Sequence, residues 1–227
     1  MKKSPIPFPV LAGFLAGSCI LYTAFLTLSL SVRGGTSILV KPVKYSGILL
    51  CLLFALFCAL RGGDRLVPSA LALTAGADWF LLVRNDNYAV GIALFLCVQT
   101  VYYLRLRGHG APDAYSLRAG LALGAGGGLY ALELASPLNL LAGLYFSQLV
   151  SNTVLAWTQS GRRWRIFAIG LTLFVGCDIC VGLFNVLRAG HPLYPAVNLG
   201  MWFFYLPSQV LIALSAIPEK EISHEDQ

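Results

Sequence analysis

Long apolar runs separated by short polar breaks make up almost the whole chain. The runs fall at about 8–31, 37–60, 66–83, 88–106, 117–135, 138–159, 163–187 and 197–217. Each is close to the ~17–25 residues that a helix needs to cross the hydrocarbon core of a bilayer. The pattern predicts an all-α fold, a polytopic membrane bundle of about eight transmembrane helices. It forms one domain over 1–217 with no soluble domain, and "PEKEISHEDQ" at 218–227 leaves a short acidic tail.

Composition agrees. The 227 residues are 57% hydrophobic and 11% charged, with a mean hydropathy of +0.74. A soluble domain carries roughly 25% charged residues, so this chain lacks the polar surface to face water. The start, "MKKSPIPFPVLAGFLAGSC", has the lysines and apolar run of a signal peptide. The run continues to about Ser31, which suits a first span better than a cleaved segment. Cys19 after "LAGS" is a poor lipoprotein site, with no leucine three residues before it.

Charge sets the expected orientation. With the N-terminus inside, the inner segments hold Lys2, Lys3, Arg61, Arg65, Arg105, Arg107, Arg118, Arg162, Arg163, Arg165 and Lys220. The outer segments hold Arg33, Arg84 and Arg188, with Lys41 and Lys44 at the start of the second span. The positive-inside rule therefore predicts cytoplasmic termini, and the expected location is a bacterial cell membrane. The net charge of +6 is on this reading a topology signal. No basic stripe with interleaved aromatics points to nucleic acid. Cysteines 19, 51, 58, 97, 177 and 180 all lie in apolar runs, so free thiols are expected. Cys177 and Cys180 have C-x-x-C spacing but are read as small packing residues within a helix.

Two acids break the apolar pattern: Asp78 in "GADWF" and Asp178 in "GCDIC". A carboxylate near a bilayer centre costs a few kcal/mol even on lenient scales, so such residues are functional candidates. Each follows a Gly by two positions and precedes an Asn, Asn85 or Asn185, by seven, which is close to two helical turns. The two spans are four apart and run the same way, as in two four-helix halves related by an axis along the membrane normal. Both acids lie roughly 18 Å from the inner end of their spans, just outside the midplane. Gln99 and Gln209 fall at a similar level, and Lys41 enters from the outer side. Asn198, Trp202, Tyr205 and Gln209 form one stripe in the last span; Tyr145, Gln148 and Asn152 form another in the sixth. Such stripes also serve as interhelical hydrogen-bond glue.

Several chemistries are excluded. Membrane zinc hydrolysis needs His-rich ligation, and His109, His191 and His224 cannot meet; no metal and no cofactor is expected. Neither a G-x-S-x-G elbow nor a P-loop is present. "GAGGG" at 124–128 has no preceding strand to make a dinucleotide site, and its glycines are expected to permit close helix packing. Two carboxylates in a low-dielectric cleft do not readily both ionise, so one is expected to keep its proton. That pairing suits general acid–base hydrolysis, and it equally suits proton-coupled transport.

Five segments in order resemble one family. "VKPVKY" (40–45) resembles its Lys-Pro element, and "TAGADWFLL" (74–82) its Gly/Asp span, with the usual Gly-Asp split by Ala77. "GIALFLCVQTVYY" (91–103) is similar to its G-x-x-x-F-x-x-x-H-x-x-Y segment. "AIGLTLFVGCDICVGLFN" (168–185) is similar to its G-x-x-x-F-x-x-S-D segment, and "FYLPSQVLIALS" (204–215) to its last span. This is the YhhN-like, lysoplasmalogenase family of multi-pass membrane proteins. The resemblance implies cleavage of the vinyl ether of a lysoplasmalogen to a fatty aldehyde and a glycerophospho-base. Gln99 stands where the family has His and Cys177 where it has Ser, which puts activity or substrate in question. The expected site is Asp78 and Asp178 as catalytic carboxylates, with Lys41, Gln99, Tyr102, Tyr205, Gln209 and Asn185 around a membrane lipid. Lys41 is the expected partner of the substrate phosphate. The alternatives are a proton-coupled transporter of lipid or another small molecule, and a non-catalytic lipid-binding member.

Overall fold

The computed structural model describes residues 5–31, 40–187 and 190–218. Among them are eight α-helices: α1 (Phe8–Ser31), α2 (Val40–Leu60), α3 (Leu66–Asp78), α4 (Tyr88–Arg107), α5 (Tyr115–Ala131), α6 (Pro137–Trp157), α7 (Arg162–Val186) and α8 (Tyr194–Leu214). A π-helical turn, Trp79–Arg84, continues α3. No strand occurs among the described residues. Helices satisfy their own backbone, which hydrocarbon cannot do for them. The chain is thus a polytopic helical bundle, as the apolar runs predict. Arg33, Arg188 and the tail from 219 onward lie outside the described residues.

Among the described residues seven helices, α3 counted together with its π-helical continuation to Arg84, are long and apolar enough to cross a membrane. The exception is α5, whose 17 residues rise about 26 Å against a core of ~30 Å. The run predicted to reach 135 stops early because Glu133 adopts a left-handed conformation (φ 57°). Ser136 then accepts from the Asn139 N–H and, with Pro137 next, starts α6.

Helix neighbours follow a cycle. α2 packs on α3, α3 on α4, α4 on α6, α6 on α7, α7 on α8, and α8 returns to α2. α1 lies outside this ring against α2 and α8, and α5 lies outside it against α6. The order repeats between the halves: one outer helix, then three ring helices, with α3 opposite α7. The four-and-four reading therefore has a counterpart in the packing, and the two aspartate-bearing helices face each other across the ring.

The paired asparagines do not share in this. The π turn after Asp78 changes the winding from i→i+4 to i→i+5, so the seven-residue spacing no longer returns to the same face. Asn85 ends the turn in a left-handed conformation (φ 55°) and is exposed; Asn185 is exposed as well, bonded to its own helix at Val181 O. The glycines of α5 also differ from expectation. A Cβ on Gly124, Gly126, Gly127 or Gly128 would meet nothing within 4 Å. The close approach of α5 and α6 is made instead at Gly143, where a Cβ would stand 3.2 Å from Leu129.

Pro207 interrupts α8. It has no N–H to give to the Phe203 carbonyl, and the Tyr22 hydroxyl of α1 donates to that oxygen instead, at 3.3 Å. An unmet carbonyl in lipid is costly, so this bond holds α1 onto the ring.

One end of the bundle is locked by ions. Asp64, in the α2–α3 turn, accepts from Arg105 Nε at 2.8 Å, from Arg163 Nη2 and from the Leu66 N–H. Arg105 also donates to Ser215 Oγ at 3.0 Å and Ser215 O at 2.8 Å, and its guanidinium lies 4.2 Å from the Phe167 ring centre. These contacts tie the α2–α3 turn to α4, α7 and α8. Burial pushes the Asp64 carboxyl up, but the charge and hydrogen bond of Arg105, then Arg163, hold it below the usual carboxylate range. Gly63 is required here, since a Cβ would stand 2.3 Å from Ala216 O.

Candidate active site

Asp78 is the last residue of α3 and Asp178 lies in α7, on opposite sides of the ring. Each carboxylate accepts one phenolic hydroxyl. Tyr205 of α8 donates to Asp78 Oδ2 at 2.5 Å, and Tyr145 of α6 donates to Asp178 Oδ2 at 2.5 Å. An aromatic chain fills the space between their partners. Tyr205 packs on Phe174 at 5.8 Å, Phe174 on Phe95 at 5.7 Å, and Phe95 on Tyr145 at 5.5 Å. Asp78, Tyr145 and Tyr205 are buried, whereas Asp178 is half-buried. Cys177, beside Asp178 in the chain, is buried.

Lys41 and Lys44 separate clearly. Lys41 is exposed on α2. Lys44 turns inward, with Nζ 3.7 Å from the Trp202 ring centre and 5.1 Å from that of Phe25. No carboxylate among the described residues pairs with it. Trp202 in turn packs edge-on to Tyr205 at 5.2 Å. A cavity of about 10 Å³, roughly the room for one water, lies between α1, α2 and α8 beside Phe25, Lys44, Trp202, Tyr205 and Leu206. It borders Tyr205, the residue whose hydroxyl holds Asp78.

The amides form a second cluster. Asn152 Nδ2 donates to Gln99 Oε1 at 3.0 Å and Gln99 O at 2.8 Å, while Arg118 donates to Asn152 Oδ1 at 2.5 Å and to Gln148. Here the sixth-span stripe acts largely as glue, joining α4, α5 and α6. Gln99, Tyr102 and Gln209 are fully buried, and Gln99 Nε2, the Tyr102 hydroxyl and Gln209 Oε1 have no protein partner. Tyr102 packs against Phe167 at 5.3 Å. Asn185 and Asn198 are exposed and stand apart from both clusters.

Of the residues expected together, Asp78, Asp178 and Tyr205 lie in these pairs and Lys41 does not, while the inward Lys44 and the pairing of Tyr145 with Asp178 were not foreseen. For Lys44 a signal existed. Gly47, Cys51, Ala55 and Cys58 recur every three or four residues as a small-residue face of α2, and all are buried. Lys44 falls on that face and Lys41 does not. All six cysteines are free thiols, as expected of their apolar surroundings. No group of three metal-ligating side chains occurs among the described residues.

The comparisons with known proteins bear on which chemistry this geometry belongs to. No curated protein and no solved structure matches the chain. The model of the YhhN family matches residues 36–216, which takes in every helix of the ring, both aspartates and both tyrosines bound to them. Over that span, well beyond half its length, the chain belongs to the YhhN family.

Proposed function

We propose that the chain is an integral-membrane hydrolase of lysoplasmalogenase type. The observation that carries this reading is the pair of carboxylates, each held by a tyrosine hydroxyl, on facing helices of an apolar interior. A vinyl ether is hydrolysed by protonation of the alkene carbon remote from oxygen. The proton comes from the acid form of one aspartate, and the product is an oxocarbenium ion. The other aspartate, ionised, stabilises that cation and takes a proton from the water that attacks it, as carboxylate pairs do in glycosidases. The resulting hemiacetal collapses to the fatty aldehyde and the glycerophospho-base. Atoms balance with one water consumed and no cofactor. The positive-inside bias supports a cytoplasmic side for the Arg-rich end and, with it, both termini.

A lipid substrate calls for a counter-charge to its phosphate. Lys44, beside the one-water cavity between α1, α2 and α8, is a cation with aromatic neighbours and, among the described residues, no carboxylate partner. Charges at such depth pair with something; the substrate phosphate is a suitable anion, with the chain running toward the acids. Replacing Lys44 by Met keeps the apolar stem and removes the charge. It is expected to raise KM for lysoplasmalogen about tenfold, the worth of one charged hydrogen bond, with kcat nearly unchanged. Lys41→Gln should match wild type. Initial rates over a range of lysoplasmalogen in mixed micelles distinguish the two, and equal effects at both lysines would remove Lys44 from the site.

The function itself is tested by incubating purified protein with lysoplasmalogen and with its saturated ether analogue. Aldehyde release from the vinyl ether alone is the expected result. Release from neither would discard the hydrolase in favour of a transporter or lipid-binding protein.

A further inference from the structure

A cavity of about 270 Å³ opens at the Arg-rich end of the bundle, where α2 turns into α3 and α4 ends. It is separated from Asp78 by the length of α3, roughly 20 Å at ~1.5 Å per residue, and so belongs to no part of the proposed reaction. Its walls include Gly62, Gly63, Asp64, Arg105, His109 and Arg163. Two guanidinium groups here face one carboxylate. Asp64 already accepts from both and from the Leu66 N–H. Arg105 is fully enclosed and gives its hydrogen bonds to Asp64 and Ser215.

Arg163 is different. Only its Nη2 meets Asp64, its side chain is 10% exposed, and its buried Nε has no partner. His109 borders the same space. Its Nδ1 donates to Arg105 O at 3.3 Å, since a carbonyl can only accept, which leaves Nε2 an acceptor in the neutral ring and a donor only in the imidazolium. The arrangement therefore has donors and positive charge in excess of its acceptors, around an open volume.

We propose that this cavity binds a phosphate-type oxyanion, held by Arg163 and His109 against the Gly62–Gly63 turn. Phosphate offers several acceptor oxygens in a geometry that a guanidinium fork matches. The volume is just below the ~300–1,000 Å³ of sites for drug-sized ligands. It admits a compact group, either free phosphate or the headgroup of a phosphomonoester lipid whose chains stay in the bilayer.

The test uses the full-length protein in neutral detergent, titrated with inorganic phosphate at constant ionic strength against chloride, with the melting temperature as readout. A saturable rise that chloride does not reproduce is expected. Arg163→Gln should weaken the apparent affinity about tenfold or more. The readout is the dependence on phosphate and not the melting temperature itself, so a merely structural loss does not imitate the result. His109→Gln, expected to weaken binding in the same sense, serves if Arg163→Gln does not fold. The source is resolved in nanodiscs of phosphatidylcholine with and without phosphatidic acid. If phosphatidic acid abolishes the phosphate response of the wild type, the ligand is a lipid headgroup; if the response persists, it is the free anion. No saturable response to either, or an equal response in the variants, overturns the proposal. None of these outcomes depends on aldehyde release.

Discussion

Asp78→Asn and Asp178→Asn are each expected to lower aldehyde release from lysoplasmalogen by about 10²–10⁴-fold, the usual worth of a positioned general acid or base. Asn keeps the shape of the side chain and can still accept from Tyr205 or Tyr145. It cannot deliver a proton or carry the charge an oxocarbenium ion requires. The protein should therefore fold normally, which far-UV circular dichroism and size-exclusion profiles will check. Because proton donor and charge partner serve one transition state, the double variant should lose little more than either single one. Tyr205→Phe and Tyr145→Phe should cost less, since they loosen a carboxylate without removing it. If the Asn variants turn over at near wild-type rates, the aspartates are interhelical glue and the mechanism falls. Gln99→His bears on the family's histidine. Gln99 bonds to Asn152 in the amide cluster and makes no hydrogen bond to either acid. A rise in rate on restoring His would connect the two clusters through a proton path.

The second large effect is on stability. Asp64→Asn leaves Arg105 and Arg163 buried without their counter-charge, and breaking a buried ion pair in this way costs about 3–5 kcal/mol. The direction with pH follows from the folded-state carboxyl, which Arg105 and Arg163 hold below its ordinary range against the opposing push of burial. The stabilisation is full above the unfolded pKa of about 3.9 and is lost as pH falls through the lower folded value. Thermal unfolding in detergent should thus show the wild type well above Asp64→Asn at pH 7. The two curves should converge in strong acid. An offset that stays constant down to acid pH would mean that Asp64 acts through its shape or through the Leu66 N–H alone.

Much of this molecule is determined locally. Apolar runs of spanning length must become helices, because hydrocarbon offers a backbone no other partners. The helix count, the order and most boundaries follow from the runs; α5 falls short because a left-handed residue at Glu133 ends it early. The cost of an intramembrane carboxylate likewise marked Asp78 and Asp178 with no knowledge of their neighbours. Arg105 and Arg163 were legible as charges on one side of a membrane, but not as partners of Asp64, which is distant from both in sequence.

What tertiary structure decided was facing and pairing. Lys41 and Lys44, three residues apart, point only about 60° from each other around α2, and the packing of α2 on α8 is what seats Lys44 over Trp202 and leaves Lys41 exposed. The π turn after Asp78 moved Asn85 off the face that a regular helix would have given it. Tyr145 and Tyr205 found their acids on other helices, α7 and α3, and the glycines of α5 found open space where close packing was expected. Each of these depends on which helix stands next to which. That is set by side-chain fit summed over the whole bundle, and no short stretch of sequence contains it.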